Sequence, residues 1–301
     1  MNITKLDDII QAVKSKPKKR LVVAYANDSH TIEAVHKAID LGIVEGILVG
    51  DETTIKDICK IEGFSTSKFK IIHESDEQKA ANLAVKLIND GEGDILMKGL
   101  VSTDKYMRAI LNKETGLLPP KAVLSHICVV QLPDYGKLLV VSDVAVIPSP
   151  DINQKIAITN YVASTVKAFG IETPKIAMIA ATEQMSHSMP ACVDAAIISK
   201  MGDRGQIKGV EIDGPLALDV AIDEESVKIK KLKSNVAGQA DGLVFPSIEA
   251  ANVFYKTATK VTGSPVAAVL VGAKCPAVLS SRGDSAETKT YSIALAALTA
   301  K

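Results

Sequence analysis

Short β-branched runs alternate with segments of helical period along the whole chain. Arg20 to Ala26 (RLVVAYA) is an apolar run that predicts a buried strand, broken by Asn27, Asp28 and Ser29. Thr31 to Leu41 follows as a helix with Ile32, Val35 and Ile39 on one face. Gly46–Gly50, Phe69–His73 and Asp94–Met97 read as further strands, and 76–89 and 103–112 as helices. In the second half, Ile127–Gln131 and Leu138–Ser142 read as neighbouring strands joined through Pro133-Asp134-Tyr135-Gly136. A helix over 151–169 ends at Gly170. Later strands are expected at 175–181, 207–212, 242–245, 266–271 and 277–280, separated mostly by helices. Strands alternating with helices predict an α/β protein with a mainly parallel sheet.

Length and charge narrow the partners. The chain has 301 residues, room for about two domains. Lys plus Arg and Asp plus Glu both number 35, so no net positive charge argues for nucleic-acid binding. The most apolar stretch, Val266–Leu279, is interrupted by Gly272, Lys274 and Pro276 and is too short to span a bilayer. Asp7 and Asp8 stand where a signal peptide would be basic and then apolar, so a cytoplasmic chain is expected. Cys59, Cys128, Cys192 and Cys275 form no C-x-x-C pair, and the histidines lack metal-ligand spacing. The expectation is buried thiols and no metal. The basic stretch Lys14–Arg20 (KSKPKKR) reads as a solvated lead-in to the first strand.

In open α/β sheets ligands bind beyond the carboxyl ends of the strands. There is no P-loop, no G-x-G-x-x-G after a strand and no G-x-S-x-G elbow, which argues against a P-loop kinase, a dinucleotide enzyme and an α/β hydrolase. Ser280-Ser281-Arg282-Gly283-Asp284-Ser285 follows an apolar run and precedes a clear helix. A helix start, a hydroxyl and a guanidinium suit an oxyanion. The same residues also read as a capping box, with Asp284 as N-cap and Glu287 at N3. Lys98-Gly99-Leu100-Val101-Ser102-Thr103 is a second cationic strand end, with Thr103 as a helix cap and Arg108 off the apolar face. Ser125-His126, the Asn252/Lys256 pair and Asp213-Gly214-Pro215 are weaker polar segments. His126 reads as well as a satisfied histidine, and Asp213-Gly214 as a turn.

Taken in order, MKGLVST (97–103), LSH (124–126), ISKMGDRGQIKG (198–209), DGPLALD (213–219), VAGQAD (236–241), Asn252 with Tyr255-Lys256, and LSSRGDSAETK (279–289) resemble the phosphate acetyl/butyryltransferase family, the butyryl branch most closely. The resemblance implies reversible transfer of a short acyl group from coenzyme A to inorganic phosphate, both as substrates, with no permanently bound cofactor and no metal. It implies two α/β/α domains with a cleft, like the isocitrate and isopropylmalate dehydrogenases. On that basis 1–125 plus 270–301 form the first domain, carrying the Ser-Arg site, and 126–269 the second. A homo-oligomer is implied, with no membrane or nucleic-acid partner.

Carried over residue by residue, Ser281 and Arg282 match the family's catalytic pair. Arg108 matches a cleft arginine, and Lys98, Asn252 and Lys256 match polar positions beside the cleft. Thr103, Ser125 and His126 join them as substrate-binding candidates. The acetyltransferases' proposed base, an aspartate seven residues after the serine, corresponds to Thr288 here, which leaves Glu287 or Asp284 for that role. Gly283, Ala251, Leu118-Pro119-Pro120 and Ile147 also depart from the usual butyryltransferase residues and bear on acyl-chain preference. Two other readings compete. A dehydrogenase of the related fold lacks its metal-binding aspartates and nucleotide loop. A non-catalytic acyl-CoA- or phosphate-binding regulator would bind without turnover. A cysteine nucleophile, Cys128 or Cys192, is a further alternative to direct attack by phosphate.

Overall fold

A computed structural model describes residues 2–279 and 284–301. The chain forms two compact units. The first unit comprises Asp7–Leu124 and Ala267–Lys301, and the second Ser125–Val266 together with the residues up to Leu6.

The first unit opens with α1 (Leu6–Lys14), β1 (Lys19–Ala24), α2 (Ser29–Asp40), β2 (Val44–Gly50), α3 (Glu52–Glu62), β3 (Phe69–His73), α4 (Glu77–Asn89), β4 (Ile95–Lys98) and α5 (Thr103–Leu111). Leu21, Val22, Val23 and Ala24 of β1 are fully buried, as expected for a central strand covered on both faces. Asp28, Asp51 and Asp76 cap α2, α3 and α4, each accepting from the amide three residues on. α3 has no counterpart in the sequence reading. Only Ile55 and Cys59 of it are buried, too thin an apolar stripe to stand out. The basic lead-in is not all solvated. Arg20 opens β1 and forks onto Asp94 just before β4, at 3.0 and 2.7 Å.

The second unit contains β5 (Ser125–Val130), β6 (Leu139–Ser142), α6 (Ile152–Ala168), β7 (Lys175–Ile179), α7 (Pro190–Asp203), β8 (Glu211–Leu216), α8 (Leu218–Ile222), α9 (Glu224–Lys230), β9 (Gly242–Val244) and α10 (Ile248–Lys256). α6 begins with a complete capping box between Asp151 and Gln154. β5 and β6 are antiparallel neighbours, and β6, β9, β7 and β8 run parallel in that order. The strand expected at 207–212 lies later, because Gly209 at φ 64° breaks the extended chain and the ladder starts at Glu211 opposite Lys175. Asp213-Gly214-Pro215, expected as a turn, therefore sits inside β8. Proline is tolerated there because β8 ends the strand order.

The chain returns to the first unit with β10 (Val266–Val271), β11 (Ala277–Val278) and α11 (Ala286–Thr299). Within this unit the order is β3-β2-β1-β4-β11-β10, parallel except for the β10–β11 pair. The α/β alternation read from the sequence is the observed architecture. No described helix is long and apolar enough to cross a membrane.

Candidate active site

In each unit, candidate residues lie at or beside the carboxyl ends of strands. In the first unit, Val278 of β11 lies in register with Met97 of β4, so the two strands end within one residue of each other. Tyr106 of α5 is fully buried and donates its hydroxyl to the Val278 carbonyl at 3.3 Å. Burial pushes that phenol's pKa well up, which keeps it a donor. Ser281 and Arg282, the expected catalytic pair, lie outside the described residues.

The helix after them starts differently from the expected capping box. Ser285, not Asp284, is the N-cap of α11, and it accepts from the Thr288 amide at 3.1 Å. Its hydroxyl also donates to Thr288 Oγ1 at 3.1 Å. Thr288, at the position of the family's aspartate, is thus part of the cap. The register moves by one because Ser285 has the extended backbone and short side chain that an N-cap needs. Asp284 is half-buried just before the cap. Glu287 is exposed and lies one turn before Tyr291. The Tyr291 hydroxyl donates to Asp7 at 2.8 Å. Burial first, and then Asp7 and Glu287, push the Tyr291 phenol upward.

Lys98 ends β4 and is 5 % exposed. Its ammonium donates to the carbonyls of Gly99 at 3.1 Å and Val101 at 2.8 Å, curling the chain over its own strand end. Gly99 is required there, since a Cβ would lie 2.3 Å from the Tyr25 carbonyl oxygen. The loop ends at Ser102, which caps α5 by accepting from the Lys105 amide. Thr103, expected as the cap, is instead the first helical residue and exposed. Again the residue with extended backbone takes the cap. Glu77 of α4 holds this helix start, accepting from the Ser102 amide at 2.5 Å and from the Lys105 ammonium. Lys105 and Ser102 together lower the Glu77 pKa. Arg108 is on the exposed face of α5, paired with Asp104 at 2.7 Å.

In the second unit the corresponding edge is organised by Asp143, immediately after β6. It is 2 % exposed. Its Oδ2 accepts from Ser125 Oγ at 2.8 Å and the His126 amide at 3.2 Å. Its Oδ1 accepts from the amides of Ala145 and Val146, both at 2.8 Å. Ser142 Oγ lies 3.0 Å from Ser125 Oγ and 3.2 Å from the His126 carbonyl. Asn252 of α10 donates to the Val144 carbonyl at 3.1 Å. Three sequence candidates, Ser125, His126 and Asn252, thus meet at one polar node. Lys256 does not join it. It is exposed, with its ammonium 5.1 Å from the Tyr255 ring. Asp143 is the residue that the sequence reading missed. Its one sequence signal is position, directly after the apolar run of β6.

All four cysteines are buried and none is in a disulfide. Burial pushes the Cys275 thiol up to about 12 and raises Cys59 as well. Among the described residues no three His, Cys, Asp or Glu side chains gather as metal ligands. At both strand ends the described donors meet acceptors of the protein itself: Lys98 the Gly99 and Val101 carbonyls, and Ser125 Oγ with the His126, Ala145 and Val146 amides the Asp143 carboxylate.

The two-unit α/β architecture with polar groups gathered at its strand ends gives the fold class, and comparison with known proteins gives the family. The family described as Phosphate acetyl/butaryl transferase matches residues 5–82 and 73–297. The chain is 46 % identical over 298 residues to the phosphate butyryltransferase of Clostridium acetobutylicum, covering 99 % of each. It superposes with a TM-score of 0.83 and 29 % identity on the crystal structure of a branched-chain phosphotransacylase from Enterococcus faecalis V583, covering 93 % of this chain and 98 % of that one. A fold-level likeness, TM-score 0.58 at 12 % identity, extends to 4-hydroxythreonine-4-phosphate dehydrogenase from Klebsiella pneumoniae, covering 95 % of this chain and 100 % of that one. The chain belongs to the phosphate acetyl/butyryl transferase family. It is an acyltransferase, and its fold is the dehydrogenase-like α/β fold expected from the resemblance.

Proposed function

We propose that the chain transfers a butyryl group reversibly between coenzyme A and inorganic phosphate, without a permanently bound cofactor. The 46 % identity over nearly the full length to a protein named phosphate butyryltransferase carries this reading. In the forward step a phosphate oxygen attacks the thioester carbonyl carbon. A carbon–oxygen bond forms, the carbon–sulfur bond breaks, and the thiolate leaves and takes up a proton. The products are butyryl phosphate and free coenzyme A. Both reactants are anionic, so the enzyme's task is to hold them together and offset the developing charge. In this reading Arg282 and the N-terminal end of α11 hold the phosphate, and Ser281 donates to the carbonyl oxygen or the departing sulfur. Asp284 or Glu287 exchanges the proton with the thiol. Lys98, Thr103 and Arg108, and Ser125, His126, Asn252 and Lys256, belong to the substrate-binding edges of their units. The enzyme works as a homo-oligomer in the cytoplasm.

The test is thiol release from a panel of acyl-CoAs with and without inorganic phosphate. Phosphate-dependent release highest with butyryl-CoA is the expected result. A maximum with a branched acyl chain would move the substrate toward that of the Enterococcus relative and overturn the butyryl assignment. Absence of phosphate-dependent release with every acyl-CoA would overturn the reaction and favour a binding protein.

A further inference from the structure

We propose that Asp143 is a positioning residue for acyl transfer, setting the shape of the substrate-binding edge of the second unit. The inference rests on the acyl-transfer reading above. Its observation is a buried carboxylate with four donors drawn from two separate parts of the chain: Ser125 Oγ and the His126 amide at the start of β5, and the Ala145 and Val146 amides after β6.

The node does two things. It closes the first turn after β6 by holding both Ala145 and Val146 amides on one oxygen. Holding the Ala145 amide also fixes the Val144 carbonyl, which shares its peptide plane; that carbonyl receives the Asn252 amide, which ties α10 to the same edge. It also orients the hydroxyls. A carboxylate only accepts, so the Ser125 proton points at Asp143 Oδ2. The short contact to Ser142 Oγ is then made with Ser142 as donor or with a shared Ser142 proton, since Ser142 also faces the His126 carbonyl. Ser125 is fully buried, so it contributes to the edge through this network rather than by facing solvent.

This position is where the fold places ligands. Asp143 follows the carboxyl end of β6, which runs parallel to β9, itself parallel to β7. Leaving a buried donor without its acceptor costs the desolvation of that donor. The segment 143–146 therefore keeps its present shape only while the carboxylate is there.

Replacement by the isosteric amide separates this role from a purely structural one. In Asp143→Asn one accepting oxygen becomes a donor, which opposes the His126 amide and turns the Ser125 hydroxyl. The full chain is assayed for phosphate-dependent thiol release, with the active fraction measured by titration. The expected result is a KM for acyl-CoA raised by about tenfold, the order of a single hydrogen bond to a charged group, with a smaller change in kcat. A purely structural role would lower the active fraction and leave KM where it was, so an unchanged KM overturns the proposal. Should Asp143→Asn not fold, Ser125→Ala takes its place, since it removes a single donor. A raised KM there supports the proposal and an unchanged KM overturns it. Failure of the parent enzyme itself to release thiol overturns the acyl-transfer reading and this inference with it, whereas an active parent with unaltered variants overturns this inference alone.

Discussion

Glu77 of α4 accepts a 2.5 Å hydrogen bond from the amide of Ser102, the N-cap of α5, so a residue 25 positions upstream fixes where that helix begins. The loop it steadies is the one that Lys98 curls over the end of β4. Replacing Glu77 with Ala removes that acceptor and the partner of Lys105. A loss of about 1–2 kcal/mol in unfolding free energy is expected, measured by urea denaturation. The Glu77 pKa is lowered on folding, first by Lys105 and then by the Ser102 amide. A depressed carboxylate stabilises the fold above its ordinary value of 4.5 and loses that contribution as pH falls through the folded value. The gap between parent and variant should thus be full at neutral pH and close on acidification. A gap that widens at acid pH would contradict the assignment.

Arg282→Ala should lower phosphate-dependent turnover by about 10²–10³-fold, the scale of losing one charge-stabilising group. Its KM for phosphate should rise as well. Steady-state kinetics with phosphate as the varied substrate decide the matter, and near-normal constants would remove Arg282 from the mechanism.

Asp284→Asn should cost more turnover than Glu287→Gln. Tyr291 feels the Glu287 carboxylate beside Asp7, which places Glu287 toward α1, whereas Asp284 directly precedes the cap and adjoins the Ser-Arg segment. The two variants, compared at saturating substrate across pH, show which carboxylate exchanges the thiol's proton. The reverse ranking would assign that role to Glu287.

The double substitution Cys128→Ala with Cys192→Ala should retain turnover, because direct attack by phosphate needs no thiol. Both cysteines are buried, at 0 % and 1 % exposure. In the folded parent a thiol reagent should react slowly with all four cysteines, and fully after denaturation. Loss of turnover in a folded double variant would bring back an acyl-enzyme.

Ser285→Ala should destabilise the protein by about 1 kcal/mol through loss of the α11 cap. The measurement is a thermal melt against a Thr288→Val control, which retains the capping bond to the residue 288 amide and loses only the hydroxyl contact. Equal effects from both would show that the hydroxyl pair matters more than the cap.

Much of the architecture could be read from local periodicity. The apolar run of β1 and the stripe of α4 each lie within a dozen or so neighbouring residues, where side-chain spacing reports burial directly. The motif order from 97 to 289 likewise identified the family, because it tests many positions together. Where neighbouring residues offered similar chemistry, the reading slipped by one: Thr103 stood for Ser102 and Asp284 for Ser285. Composition does not say which backbone is extended. β8 shifted because a positive φ at Gly209 ended one conformation and began another. Asp143 was beyond local reading altogether. In the sequence it is one aspartate after an apolar run. Its partners Ser125 and His126 lie 18 and 17 residues away, and only the antiparallel pairing of β5 with β6 brings them to its oxygens. Periodicity decides which faces are buried, but the meeting of buried polar groups is set by strand pairing. Such pairing is a non-local property, and it enters only when the sheet is assembled.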